Sequence, residues 1–240
     1  MSVENREVNE AAAAYGKRLL IVIFAFAAVM FVGLLTLVMA ARRPAWAGGA
    51  PSEVEAPPAA LAGMKLPDFA LVDQNGRPFS RADLKGRLTI LAFTFTNCPT
   101  ACPVMHSLLV RLQREITSLP VRIVCITVDP AHDTPEVLLA HAQRLGADPK
   151  FWLFLTGDTA TVHDIVRSLG FALTEDPATP ITLGDGSSMT NILHPTKLLL
   201  IGPEVNVLAM ESGLEWESAK RMAVHARRWT GSLPFKGPGS

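Results

Sequence analysis

The chain has 240 residues, of which 49% are hydrophobic and 18% charged, so it is richer in apolar residues than an average soluble domain. Lysine plus arginine and aspartate plus glutamate each number 22, which gives a formal net charge of zero. This balance lacks the basic field that nucleic-acid binding requires, and we expect no nucleic-acid partner.

An uncharged apolar segment lies near the N-terminus, at residues 19–41. Lys17 and Arg18 precede it, and Arg42 and Arg43 follow it. A helix of this length, at about 1.5 Å per residue, covers roughly 34 Å, against about 30 Å for the hydrocarbon of a bilayer. We therefore predict a single transmembrane anchor at 19–41.

A cleaved signal peptide is the alternative for this segment, because residues 45–47, Ala-Trp-Ala, have the form of a cleavage site. The apolar core of a signal peptide normally has only about 7 to 15 residues, which favours the anchor. The slight excess of basic residues before the span predicts that residues 1–18 are cytoplasmic. The rest of the chain would then lie in the periplasm or an equivalent intermembrane compartment.

Residues 42–65 contain four prolines among many alanines and glycines, a composition typical of an extended linker rather than a packed core. We predict one folded domain at 66–232 and a loose tail at 233–240. The domain is expected to open with a β-hairpin, because Asn75-Gly76 lies between two short apolar runs and favours a tight turn.

Apolar runs and apolar residues at helical spacing then alternate along the chain. The predicted elements are strand 88–95, helix 104–119, strand 121–128, helix 134–145, strand 151–155, helix 159–169, strands 197–201 and 205–210, and helix 215–229. This alternation predicts a sheet with parallel pairs and helices on both faces. The order of elements fits an α/β, thioredoxin-like domain with an N-terminal β-hairpin.

The chain has three cysteines, too few for a disulfide scaffold. Cys98 and Cys102 are four residues apart where a strand gives way to a helix, so both thiols are expected on one side of the helix entry. The helix N-terminus favours thiolates, which suits metal binding or redox exchange. Cys125 lies within an apolar strand and is predicted to be a buried structural residue.

Two thiolates leave the coordination of most metals incomplete, so a third donor is expected among the six histidines. His194 directly precedes a strand, and the predicted topology brings that position to the sheet end that also carries the cysteines. His106, one helical turn beyond Cys102, and His132, after a strand, remain alternatives. The other three histidines, His141, His163 and His225, lie in amphipathic helices and are expected to be solvated or capping residues.

Several separated motifs occur in an order that resembles the Sco/SenC family. They are residues 93–103 with both cysteines, 128–130 (Val-Asp-Pro), 133–135 (Asp-Thr-Pro), 155–157 (Leu-Thr-Gly), His194 and 197–203. The resemblance covers about residues 66–230, and the predicted anchor agrees with it. It implies a thioredoxin fold, copper bound by Cys98, Cys102 and His194, and delivery of copper to the dinuclear site in the copper-bearing subunit of cytochrome c oxidase, with no small-molecule substrate.

The chemistry of the donors agrees with copper. Thiolates favour Cu(I), and an imidazole also suits Cu(II), so two sulfurs and one nitrogen can hold both oxidation states. A structural zinc site normally has four protein ligands, and the sequence offers three.

The main alternative function is a thiol-disulfide oxidoreductase in which Cys98 and Cys102 are the redox-active pair. The three residues between the thiols, rather than two, and the presence of His194 favour a copper carrier. A peroxidase of the peroxiredoxin type is less favoured, because Phe95 stands where that family has a threonine. A redox sensor remains a further alternative.

Overall fold

The structure, a computed structural model, describes residue 26 and residues 28–34 and 57–232. It divides into two units, Met1–Ser52 and Glu53–Ser240. In the first unit, residues 28–34 are helical and their side chains are exposed. Within the described residues, no helix has both the length and the apolar character needed to cross a membrane.

Several predicted segments lie wholly or largely outside the described residues. These are the N-terminal segment 1–18, most of the anchor 19–41, most of the linker 42–65, and the tail 233–240. The described part of the second unit begins within the predicted linker. There a short 3₁₀ helix, Ala59–Leu61, buries Leu61 in the core, and Lys65 pairs with Asn206.

The second unit is an α/β domain with nine strands and four α-helices among its described residues. In chain order they are β1 (Ala70–Asp73), β2 (Pro78–Ser80), β3 (Leu88–Thr94), α1 (Ala101–Ile116), β4 (Val121–Thr127), α2 (Pro135–Leu145), β5 (Trp152–Thr156), α3 (Thr159–Ser168), β6 (Thr174–Thr182), β7 (Ser188–Leu193), β8 (Lys197–Ile201), β9 (Val207–Ser212) and α4 (Trp216–Ser232). A second 3₁₀ helix, Arg81–Leu84, follows β2.

Seven strands form one sheet in the order β2-β1-β5-β4-β3-β8-β9, and β6 and β7 form a separate pair. The central strands β3, β4 and β5 are parallel, whereas the strands on either side of them pair antiparallel. The ends of β3 and β4 therefore lie at the same edge of the sheet, and the turn that carries the cysteines begins at that edge.

The central strands are buried on both faces, and alternate side chains belong to two different cores. In β3, Ile90 and Ala92 pack with α1, α2 and α4, whereas Leu91 and Phe93 pack with α3 and with the β6-β7 pair. The prediction of helices on both faces of a sheet with parallel pairs is confirmed.

Local signals explain where individual elements begin and end. Gly76 has φ +73°, the left-handed conformation that the predicted hairpin turn needs, and β1 and β2 flank it. Thr134 caps α2 by accepting a hydrogen bond from the Val137 amide, and Gly146 ends the same helix with φ +66°. The predicted opening hairpin is confirmed.

The β6-β7 pair was not predicted. Strand β6 contains Pro177 and Pro180, and nearly all of its side chains are exposed, so it shows no apolar alternation of the kind that marks a half-buried strand. Helix α1 also begins at Ala101, three positions before the predicted start, so Cys102 lies inside the helix.

Strand β9 begins two residues later than predicted. Val205 has φ +61°, a conformation that belongs to a turn rather than to a strand.

Candidate metal centre

The two cysteines are placed by the connection between β3 and α1. Cys98 lies in the turn after β3, and Cys102 is the second residue of α1. Cys98 is 8% exposed and Cys102 only 1%. The pair therefore presents one thiol near the surface and one beneath it.

The structure brings Cys98, Cys102 and His194 together, as the sequence led us to expect. Their two sulfur atoms and one imidazole nitrogen all lie within 4.8 Å of one another. Among the described residues this is the one group of at least three such side chains arranged to hold a metal ion.

The Cys98 sulfur occupies the N-terminal end of α1. It accepts a hydrogen bond from the backbone amide of Cys102 at 3.3 Å, while Thr100 at the N-cap position makes no side-chain capping bond. An amide at a helix N-terminus stabilises negative charge on an acceptor. Cys98 is thus the side chain that satisfies the start of the helix.

The pKa of Cys98 is lowered to about 3. The largest cause is the hydrogen bond from the Cys102 thiol, with further contributions from His194 and from the amides of Cys102 and Thr100. The pKa of Cys102 is raised, because its proton is held by Cys98 and because the side chain is buried. In the metal-free state the pair therefore holds one thiolate, on Cys98, and one thiol.

His194 lies in the three-residue connection between β7 and β8 and is half-buried. Its Nδ1 atom is 3.2 Å from the carbonyl oxygen of Pro195, which can only accept, so Nδ1 carries the proton. The other nitrogen, Nε2, faces the cysteine pair and lies 3.4 Å from the Cys102 sulfur. The imidazole and the Phe95 ring make a T-shaped contact, with 5.6 Å between the ring centroids.

Backbone and side-chain contacts hold the cysteine turn in place. The Phe95 amide donates to the Cys102 sulfur at 3.4 Å. Asp133, which is fully buried, accepts hydrogen bonds from the amide and hydroxyl of Thr96 and from the hydroxyl of Thr127. This carboxylate ties the turn to the end of β4.

Sequence reasoning did not identify the role of Asp133. The Asp-Thr-Pro motif was recognised, but its contact with Thr96 joins positions 37 residues apart in the chain. A contact of this range leaves no periodic signal in the sequence from which it could be predicted.

The two alternative third donors lie elsewhere. His106 is buried against His141, whose Nε2 atom is 3.3 Å from the Nδ1 atom of His106. His132 forms an ion pair with Asp129 at 2.9 Å. Neither belongs to the group of three potential ligands.

Two other expectations can be compared with the structure. His141 is only partly exposed to solvent, because its ring packs against His106 and Phe154. Cys125 is buried, as predicted, and accepts a hydrogen bond from the Trp152 indole at 3.2 Å. Burial raises the pKa of the Cys125 thiol to about 12, which keeps it unreactive.

Comparison with known proteins gives a consistent result. A family model described as SCO1/SenC matches residues 59–230. A protein of Stutzerimonas stutzeri, named as a copper-binding protein, is 36% identical over 142 residues. That match covers 58% of this chain and 65% of the relative, so the chain spans just under two thirds of the relative's length.

Solved structures share the fold. A SCO1/SenC family lipoprotein from Bacillus anthracis is 28% identical, with a TM-score of 0.58 over 70% of this chain and 95% of the other. BsSco is 26% identical, with a TM-score of 0.59 over 70% of this chain and 94% of the other. BsSco is described as a member of the Sco family of cytochrome c oxidase assembly proteins with a disulfide switch.

Proposed function

The chain belongs to the SCO1/SenC family, and from this premise we propose that it is a copper carrier that takes part in the assembly of cytochrome c oxidase. Cys98, Cys102 and His194 are the proposed copper ligands. The proposed recipient is the dinuclear copper site of the oxidase. The observation that carries this proposal is the convergence of two sulfurs and one imidazole nitrogen within 4.8 Å.

The donor set suits copper. Two sulfurs match Cu(I), and the Nε2 atom of His194 adds a nitrogen donor that Cu(II) also accepts. The carbonyl of Pro195 accepts from Nδ1, and Nε2 faces the two sulfurs. Three protein ligands also leave one side of a bound ion open, as transfer to another protein requires, whereas a structural zinc site is closed by four.

The charge state of the pair favours capture of a cation. Cys98 is already a thiolate in the metal-free protein, so binding requires the loss of only the Cys102 proton. Cys102 lies beneath Cys98 and is held by the Phe95 amide. Cys98, the more exposed of the two sulfurs, is therefore proposed to make first contact with arriving copper.

The proposed carrier is held at a membrane by residues 19–41, with the copper domain in the periplasm or an equivalent intermembrane compartment. The support is the length of the uncharged run and the basic residues on either side of it. Among the relatives, the Bacillus anthracis protein is described as a lipoprotein.

A thiol-disulfide reductase is the second candidate function. The lowered pKa of Cys98 and the neighbouring Cys102 thiol are the features that thiol exchange needs. In this reading the chain reduces the cysteines of the recipient before copper is inserted. Both activities use the same pair, so the two proposals are compatible.

Metal analysis of the purified reduced protein after addition of Cu(I) and Cu(II) tests the carrier proposal, together with absorption spectroscopy. We expect one copper per chain and, with Cu(II), a charge-transfer band from thiolate to metal. The variant Cys98→Ala should lose both, and Cys125→Ala is the matched control that should keep both. If no form of the protein binds copper while thiol exchange persists, the reductase replaces the carrier.

A further inference from the structure

A groove of about 610 Å³ adjoins the two cysteines and runs between α1 and α2. Its polar and sulfur-bearing lining includes Cys98, Cys102, His106, Arg111, His141 and Arg144. No aspartate or glutamate lies among the lining residues. An occupant of this groove would lie beside the proposed copper ligands.

The two arginines give the groove a positive charge. Both side chains are exposed, and within residues 57–232 neither forms an ion pair with a carboxylate. Arg111 lies over the Trp216 ring, 3.7 Å from its centroid, which holds the guanidinium in place without neutralising it. The charge is therefore available to an incoming group.

Hydrogen bonds along the groove fix the direction of its donors. A guanidinium can only donate, so the contact of 3.4 Å between Arg144 and His141 makes the His141 Nδ1 atom an acceptor. The proton of His141 is then on Nε2 and is donated to the Nδ1 atom of His106. Burial lowers the pKa of both imidazoles, that of His106 to about 3, so each carries a single proton.

The proton of His106 must consequently lie on Nε2. This nitrogen is buried and has no hydrogen-bond partner in the part of the chain that the structure describes. A buried donor without a partner is uncommon. The positive charge of the groove thus comes from its two arginines, which outnumber the single thiolate of Cys98, and no aspartate or glutamate lines it.

We infer that this groove is a docking surface for an acidic segment of the protein that receives copper from Cys98 and Cys102. The identity of that partner rests on the proposed function, whereas the preference for acidic segments rests on the groove alone. The volume exceeds what a single small anion needs, and Val110 and Leu145 add apolar lining that suits the side chains of a peptide.

Thiol exchange with synthetic peptides tests the inference without copper. Three peptides with a single cysteine differ only in the flanking residues, which are aspartate, serine or lysine, and each cysteine is activated as a 2-thiopyridyl disulfide. The Cys98 thiolate attacks the peptide sulfur, a mixed disulfide forms, and pyridine-2-thione is released after taking a proton from solvent. Cys102 then attacks the Cys98 sulfur, which frees the peptide thiol and leaves the Cys98–Cys102 disulfide.

The rate of thione release by the reduced full-length chain in detergent is the measurement. At low salt we expect the acidic peptide to react about tenfold faster than the basic one, with the neutral peptide between them. Sodium chloride should reduce the ratio of the acidic-peptide rate to the basic-peptide rate. Arg111→Gln combined with Arg144→Gln should bring it close to one, and Arg144→Glu should reverse it.

Arg114→Gln is the matched control, because Arg114 is an exposed arginine on the same helix that does not line the groove. It should keep the wild-type ratio. Equal rates for the three peptides, or a preference that survives the double substitution, would overturn the inference. If sodium phosphate removes the preference at an ionic strength at which sodium chloride does not, the groove is a small-anion site instead.

These results are independent of metal loading. A chain that binds no copper but prefers the acidic peptide keeps the docking surface and loses the carrier function. A chain that binds copper but shows no preference among the peptides keeps the carrier function and loses the docking surface.

Discussion

At the scale of single residues, the three side chains of the candidate centre have unequal properties. Cys98 holds a thiolate near the surface, Cys102 holds a buried thiol, and His194 offers an imidazole nitrogen from a separate loop. The sulfurs share one helix entry, whereas the imidazole is reached only through the fold. Changes at the three positions should therefore have different effects.

Replacing His194 with alanine should weaken Cu(II) binding more than Cu(I) binding, because the borderline ion depends more on the nitrogen donor. The loss of Cu(II) affinity should exceed the roughly 10- to 100-fold loss that substitutions outside the ligand shell typically cause. Competition titrations with each ion measure it, and thiol exchange should persist. His163→Ala, at an exposed position of α3, is the control that should bind as the wild type does.

Alkylation of Cys98 should show its lowered pKa. Since the pKa is about 3, the thiolate persists as the pH falls and is lost only near that value. The rate constant with iodoacetamide should thus be nearly constant from about pH 5 to about pH 8, where an ordinary thiol, with a pKa of about 8.5, becomes steadily more reactive. Mass spectrometry of the metal-free reduced protein locates the label.

The same experiment with Cys102→Ala tests the cause. This change removes the largest contribution to the lowered pKa of Cys98, so the rate should fall with decreasing pH at a higher midpoint than in the wild type. If the alkylation rate of the wild type rises about tenfold per pH unit up to about pH 8, as for an ordinary thiol, the assignment of a thiolate to Cys98 is wrong.

At the scale of elements, the site depends on contacts between connections that are distant in the chain. Asp133 ties the cysteine turn after β3 to the end of β4, and the connection after β7 supplies His194. Parallel pairing of β3 with β4 puts the cysteine turn and Asp133 at one edge of the sheet. The geometry of the donors is thus a property of several elements at once.

Asp133→Asn should lower both stability and copper affinity. The amide replaces one accepting oxygen with a donor that faces hydroxyl and amide groups, which costs about 1–3 kcal/mol of unfolding free energy and loosens the turn of Cys98. Thermal denaturation and copper competition measure the two effects.

Asp158→Ala is the control for this prediction. Asp158 caps α3 by accepting from the Thr161 amide, and its loss should lower the free energy of unfolding without changing copper affinity. Equal affinity in Asp133→Asn and the wild type would show that Asp133 only stabilises the fold.

At the scale of the whole molecule, the position of the domain relative to a membrane depends on residues 19–41. We expect the chain to stay in the membrane pellet after carbonate extraction, because an uncharged span of this length fits the hydrocarbon of a bilayer. Deleting 19–41 should release the protein into the supernatant. A soluble wild-type product whose N-terminus lies near Gly48 would indicate a cleaved signal peptide instead.

Much of the fold was predictable from local patterns. Continuous apolar runs marked β3 and β4, because strands buried on both faces contain almost no polar residues. Asn75-Gly76 marked the first hairpin, because its turn needs the left-handed backbone that Gly76 adopts. The β6-β7 pair escaped, because its exposed, proline-containing sequence has no apolar period.

The sequence by itself determined the chemistry of the candidate site and the approximate order of the elements. The spacing of Cys98 and Cys102 at a helix entry is local, so it could be read from neighbouring residues. Only the tertiary structure decided that His194, rather than His106 or His132, meets the two sulfurs, and that Asp133 holds Thr96. Those contacts depend on strand pairing and connection geometry, which join residues far apart in the chain and leave no periodic signal in the sequence.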